Sequence, residues 1–299
     1  MAGYTPDPRS LERISRLELK ARRLVEGIVA GQHRSPFKGF SIEFADHREY
    51  VAGDDLRYLD WKVFAKSDKH YIKQYEEETN LDLLVVLDAS ESMKYGEGET
   101  SKWEVAKGLC AALAYLVSLQ QDMAGLVLAA GSEAVHVPQG SSRAHLHKVL
   151  MALDRASPAG TAQPEAMANL AASHLKRRGI VVWVGDFFAP TEELVKGLRR
   201  LGHSGHEVMA LQVMHRDEIE FPFTDYTRFD GLEATGQITL QPQSLRAAYR
   251  KEAEAFVKDT AKAFARHSAE HQLVITDEPL DAALARLLAQ RGARNSQRR

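Results

Sequence analysis

Apolar residues recur at two different periods along this chain, and the period changes near residue 80. Leu11, Ile14, Leu17, Ala21, Leu24 and Ile28 follow one another at three- and four-residue steps, which predicts an amphipathic helix over 9–29. The next fifty residues are irregular. Phe40, Ile42 and Phe44 alternate as in a half-buried strand, a Gly-Asp turn precedes a short helix in "VAGDDLRYLDWKVFAKSDKH", and "YIKQYEEE" reads as extended.

From residue 81 strands and helices take turns. "LDLLVVLD" is an apolar run suited to a strand covered on both faces. A helix follows with Trp103, Ala106, Cys110, Leu113 and Val117 on one side, then the strands "MAGLVLAA" and "AVHVP", the second short. "RAHLHKVLMALD" and "PEAMANLAASHLKR" are predicted helices, and "GIVVWVGD" is a strand ending at Asp186. A helix opened by Thr191 and Glu192 leads to the strand "HEVMALQVM". Next comes a polar insertion in which "RFDGLE" and "QITLQP" flank "ATG" as a hairpin. A helix from Ser244 to His267, the strand "HQLVIT" and the helix "LDAALARLLAQ" close the pattern.

Such alternation requires crossover connections. The expected fold class is therefore α/β, a doubly wound, mostly parallel sheet behind a small irregular α+β N-terminal region. The expected boundaries are 1–80 for that region, 81–292 for the sheet domain and 293–299 for a basic, frayed tail.

Composition narrows the class of function. The 299 residues carry a formal charge of −2, which supplies no field to attract nucleic acid or an anionic membrane. No apolar run approaches the ~18 residues of a membrane span, and the charged N-terminus lacks the apolar centre of a secretory signal. Cys110 is the single cysteine, so an internal disulfide and a cysteine-cluster metal site are excluded. A cytoplasmic protein is the expectation.

Ligands of open parallel sheets sit beyond the carboxyl ends of the strands. Asp88 and Asp186 occupy two such ends, "DASES" places Ser90 and Ser92 at alternate positions after Asp88, and Thr161 lies in a Gly-Thr loop at an N-cap position. Should the three loops converge, they bring together two carboxylates and three hydroxyls. An all-oxygen set suits a hard cation, Mg²⁺ first and Mn²⁺ or Ca²⁺ as alternatives, with a coordination position left for a partner's carboxylate.

Asp88-x-Ser90-x-Ser92, Thr161 and Asp186 resemble, in the same order, the metal-ion-dependent adhesion site of von Willebrand factor type A domains, whose fold is Rossmann-like. The resemblance implies direct coordination by Ser90, Ser92 and Thr161, with Asp88 and Asp186 acting directly or through water. The third loop departs from the common pattern, reading G-D-F-F in place of T-D-G. Upstream, Arg48, Tyr50, Gly53, Asp54, Asp55, Arg57, Asp60 and Trp61 match the signature of a bacterial family, domain of unknown function fifty-eight, which pairs this segment with a type A domain. Genes of that family commonly lie beside MoxR-type AAA+ ATPases. The resemblance thus implies an adaptor that binds such an ATPase or its client in chaperone-like maturation, in the short soluble form.

Other motifs have plainer readings. Asp54 or Asp55 suits a helix cap, Arg57 an ion pair and Trp61 a core position, though the segment is also a candidate partner surface. "HSAEH" and "HLH" do not present histidines as zinc sites do, and "EEE" at 76–78 reads as a solvated strand end. Among enzymes, a metal-dependent phosphohydrolase is the alternative. A phosphatase of the haloacid dehalogenase kind needs an acid where Ser90 stands, and G-x-S-x-G and phosphate-binding loops are absent. The expectation is a binding protein without catalytic residues.

Overall fold

The alternation beyond residue 81 builds a six-stranded sheet. The computed structural model describes residues 8–31, 43–51, 63, 70–76, 81–131, 133–232 and 236–297. Strands and helices, in chain order, are α1 (Pro8–Gly31), β1 (Glu43–Glu49), β2 (Tyr71–Glu76), β3 (Asp82–Asp88), α2 (Lys102–Leu119), β4 (Met123–Ala130), β5 (Glu133–Gly140), α3 (Arg143–Arg155) and α4 (Pro164–His174). They continue as β6 (Ile180–Gly185), α5 (Thr191–His203), β7 (Glu207–Met214), α6 (Arg216–Glu220), β8 (Thr227–Asp230), β9 (Gln237–Leu240), α7 (Pro242–Arg266), β10 (Glu270–Ile275) and α8 (Leu280–Gln297). Gly53, Asp54, Asp55, Arg57, Asp60 and Trp61 of the signature segment lie outside the described residues.

The main sheet has the order β10-β7-β6-β3-β4-β5, parallel except for β5. This is the α/β class, with a mostly parallel sheet, that the periodicity predicts. β5 is longer than the short strand expected. Its ladder to β4 shifts register between Ala124 and Leu126, opposite Gly140 and Val137, so Pro138 falls where the edge strand bulges and no ladder donor is needed.

Every residue of β3 is buried, and successive side chains serve opposite faces. Leu84 and Val86 join Val181 and Trp183 in a core closed by α4, α5 and α7, through residues such as Ala171, Leu198 and Phe264. The opposite face is covered by α2, which in turn packs against α1 and α3. Trp183 is 1% exposed and meets Phe187 and Phe264 edge-on, at ring centroids of 5.7 and 6.5 Å.

By its contacts the chain forms two units, 1–36 with 82–299, and 37–81. In the smaller unit β1 and β2 form an antiparallel pair, from Glu43 opposite Glu76 to Glu49 opposite Tyr71. The first helix groups with the sheet domain, whereas the sequence reading places it with 1–80. The buried stripe Ile14, Ala21, Val25 and Ile28 is what joins it to α2, α3 and α8. At the other end α8 runs to Gln297, past the frayed tail expected from 293, because Ala293, Arg294 and Gln297 are strong helix formers. Among the described residues no helix is long and apolar enough to cross a membrane.

A polar chain crosses the strands on one side of β6. Gln212, fully buried on β7, donates from Nε2 to the backbone oxygen of Asp186 at 3.1 Å. His271 Nε2 on β10 donates to Gln212 Oε1 at 2.9 Å. Burial holds the His271 imidazole down to about 4, against an ordinary 6.5, because its charged form would lose water.

Two predictions follow from this packing. Trp183→Ala lowers the unfolding free energy by about 3–5 kcal/mol in urea, and an unchanged midpoint would contradict the packing described. Since the folded His271 is neutral, its contribution is intact above pH 6.5 and lost as pH falls through about 4. Between about pH 7 and about pH 4 the wild type should lose up to about 3 kcal/mol more than His271→Gln. Equal losses in the two proteins would refute the burial of a neutral ring.

Candidate metal centre

β3 and β6 are adjacent and parallel, yet their following helices, α2 and α5, cover opposite faces of the sheet. Such a switch point leaves a crevice beyond the two strand ends. Asp88 closes β3 and is 3% exposed; Asp186 follows β6 directly and is 0% exposed. Gly185 lets the strand ends approach, since a Cβ there would stand 2.7 Å from the Asp88 Cβ.

The two aspartates end their strands with the same local device. The amide of Ser90 donates to Asp88 Oδ1 at 2.9 Å, and the amide of Phe188 donates to Asp186 Oδ1 at 3.0 Å. A short polar side chain that captures the amide two residues on turns the backbone sharply. After Asp186 the turn is strained as well. Phe187 has a φ of +60°, a left-handed conformation disfavoured for a bulky residue. That turn sends Phe187 into the core, while Phe188 stacks on Phe256 at 4.8 Å.

The first two loops are stitched together by their backbones. Ala89 donates to Ala129 at 2.8 Å, Ala159 donates to Ala89 at 2.8 Å, and Glu91 donates to Gly160 at 2.9 Å. Gly160, at a φ of +65°, packs so tightly on the loop after β4 that a Cβ would sit 3.0 Å from Gly131 Cα. Thr161 follows it, exposed. It is not the N-cap expected from the sequence: α4 begins at Pro164, whose preformed φ suits a first helical position, and Gln163 is the capping residue.

Ser90 is fully buried and Ser92 half-buried, with their Oγ atoms 2.9 Å apart. An octahedral Mg²⁺ with bonds of about 2.0–2.1 Å needs neighbouring ligand oxygens about 2.9 Å apart. The serine pair therefore fits adjacent positions on such an ion. Among the described residues no three His, Cys, Asp or Glu side chains are grouped to hold a metal, so an ion here would rest on hydroxyls.

The structure adds residues that the sequence reading misses. Lys102, the first residue of α2, is 0% exposed, and its Nζ donates to Asp186 Oδ2 at 2.7 Å and Glu218 Oε1 at 2.8 Å. Burial alone would lower the Lys102 pKa, but attraction to Asp186 and Glu218 outweighs it and holds the ammonium above its usual range. Glu218 lies in α6, within the stretch read as a polar insertion. Its second oxygen accepts from the backbone of His215 at 2.8 Å, closing a capping box. Burial raises the Glu218 carboxyl and Lys102 opposes that rise. A lysine in the first turn of a helix opposes the helix dipole, and that signal was available in the sequence. Its partner Glu218 was not, being 116 residues away.

Elsewhere His267 caps the end of α7 and His271 is taken by Gln212. His145 Nε2 lies 2.7 Å from the backbone oxygen of Ala124, which ties this half-buried ring to β4. Tyr50 lies near the His70 ring at 6.3 Å, while Arg48 is placed on β1.

The chain is similar to several known proteins. It is 27% identical to the uncharacterized protein Rv1480 of Mycobacterium tuberculosis, over 97% of this chain and 92% of that one. The uncharacterized protein Mb1516 of Mycobacterium bovis matches to the same extent. Similar solved structures include the conserved hypothetical protein BatB of Bacteroides thetaiotaomicron, at 20% identity and a TM-score of 0.46, over 71% of this chain and 99% of that one. Another is the VWA domain of SpRpn10, at 12% identity and a TM-score of 0.42, over 71% and 95%. The family described as "Protein of unknown function DUF58" matches residues 46–276, and the chain belongs to that family.

Proposed function

We propose that this protein is a metal-dependent protein-binding module, an adaptor that engages a MoxR-type AAA+ ATPase or that ATPase's client. The observation that carries the reading is the serine pair, two hydroxyl oxygens 2.9 Å apart at the end of the central strand. Ser90 and Ser92 would hold Mg²⁺, with Mn²⁺ or Ca²⁺ as substitutes, and Thr161 would reach it from the neighbouring loop. Asp88 and Asp186 already accept one backbone amide each, and their remaining lone pairs suit water-mediated support. Bound there, the ion supplies a Lewis-acidic point for a partner's carboxylate. The choice of partner rests on the resemblance of residues 48–92 to the ATPase-associated family, and a cytoplasmic location goes with it.

No catalytic residue is assigned. The hydroxyl of Ser90, where a phosphatase would carry an acid, is buried against Ser92.

The test is capture of the purified MoxR-type ATPase of the same genome, in Mg²⁺ and in EDTA. Ser90→Ala/Ser92→Ala should weaken capture at least about tenfold while circular dichroism stays unchanged, and EDTA should do the same to the wild type. Capture indifferent to both would end the adhesion reading. Turnover on a panel of phosphomonoesters, lost in Asp88→Ala, would replace it with hydrolysis.

A further inference from the structure

A buried ammonium stands where the candidate centre would otherwise offer a carboxylate. We propose that Lys102 is a resident counter-cation of the centre, sharing Asp186 with the divalent ion and thereby keeping the protein's own affinity for that ion low. The inference rests on the metal-dependent reading above and concerns how that same site is tuned.

Three observations carry it. First, the ammonium is confined. The amide of Lys102 donates to the backbone of Tyr95 at 2.9 Å, its Nζ lies 5.0 Å from the centre of the Phe188 ring, and the side chain is 0% exposed. It has no route to swing into water as an exposed lysine would. Second, its ammonium is compensated by two carboxylates. It sits in the first turn of α2, where the helix dipole repels a cation, and Asp186 and Glu218 offset that repulsion and the loss of water. Third, Asp186 is one of two carboxylates at the strand ends, and both its oxygens have donors, Lys102 on one and Phe188 on the other. The donors best placed for an ion, Ser90 and Ser92, are neutral.

A divalent ion at the serine pair would thus meet a cation already seated on Asp186, one of the two strand-end acids. Like charges in a low-dielectric pocket repel strongly. A carboxylate brought by the partner adds the missing negative charge, so metal and partner bind best together. An ordinary structural ion pair would have no such effect on the metal.

The experiment is a Mn²⁺ titration of the full chain, reading free Mn²⁺ by electron paramagnetic resonance, for the wild type and Lys102→Met. The variant should bind Mn²⁺ at least about tenfold more tightly, and Mn²⁺ should raise its melting temperature more than the wild type's. Equal or weaker binding by the folded variant overturns the role given to Lys102 while leaving the metal reading intact. Binding by neither protein overturns the metal reading and this inference together. If Lys102→Met alone does not fold, Lys102→Met/Glu218→Gln removes both members of the pair and is judged by the same criterion.

Discussion

Carboxylates buried at the ends of central strands must each be supplied with donors, and much of this structure answers that demand. Asp88 and Asp186 sit at 3% and 0% exposure, where an unpaired carboxylate would cost several kcal/mol. For Asp186 the donors come from three directions: its own chain through Phe188, α2 through Lys102, and β7 through Gln212 on the backbone oxygen. Each donor is itself held, Gln212 by His271 and Lys102 by Glu218. The polar network spans β6, β7 and β10 and ties α2 and α6 to the same point. Breaking one member of such a network strands the rest.

The apolar core makes that network rigid. Trp183, Phe187 and Phe264 pack edge to face beneath β6, and the left-handed turn at Phe187 is stable only because its ring is enclosed there. A strained turn anchored by an aromatic residue orients the carboxylate just before it. The serine side is fixed differently, by backbone hydrogen bonds to the 159–160 loop and by the close approach of Gly160 to Gly131. Two loops are therefore positioned by backbone and one by side chains. That division suits a centre in which the hydroxyls meet an ion and the acids set its charge.

Much of this was legible from residue patterns. The fully apolar run of β3 and the strand before Asp186 mark buried parallel strands. Once those strands are neighbours, Asp88 and Asp186 must share a crevice. The serine spacing in "DASES" carries the turn by itself, because Asp88 captures the amide of Ser90 within one loop. Less legible was the cap of α4, since a threonine after glycine looks like a cap until Pro164 is recognised as the first helical residue. α6 escaped notice because its 5 residues are all polar but one, and no periodicity can be read from so short a run.

Strand identity, the alternation that demands crossovers and the local turns at Asp88 and Ser90 follow from the order of residues, because each depends on neighbours a few positions apart. The charge state of the centre does not. Lys102 and Glu218 lie 116 residues apart, and only the sheet order and the packing of α2 and α6 bring them to Asp186. Burial then turns an ordinary surface pair into a fixed cation beside a candidate metal site, and burial is a property of the assembled fold.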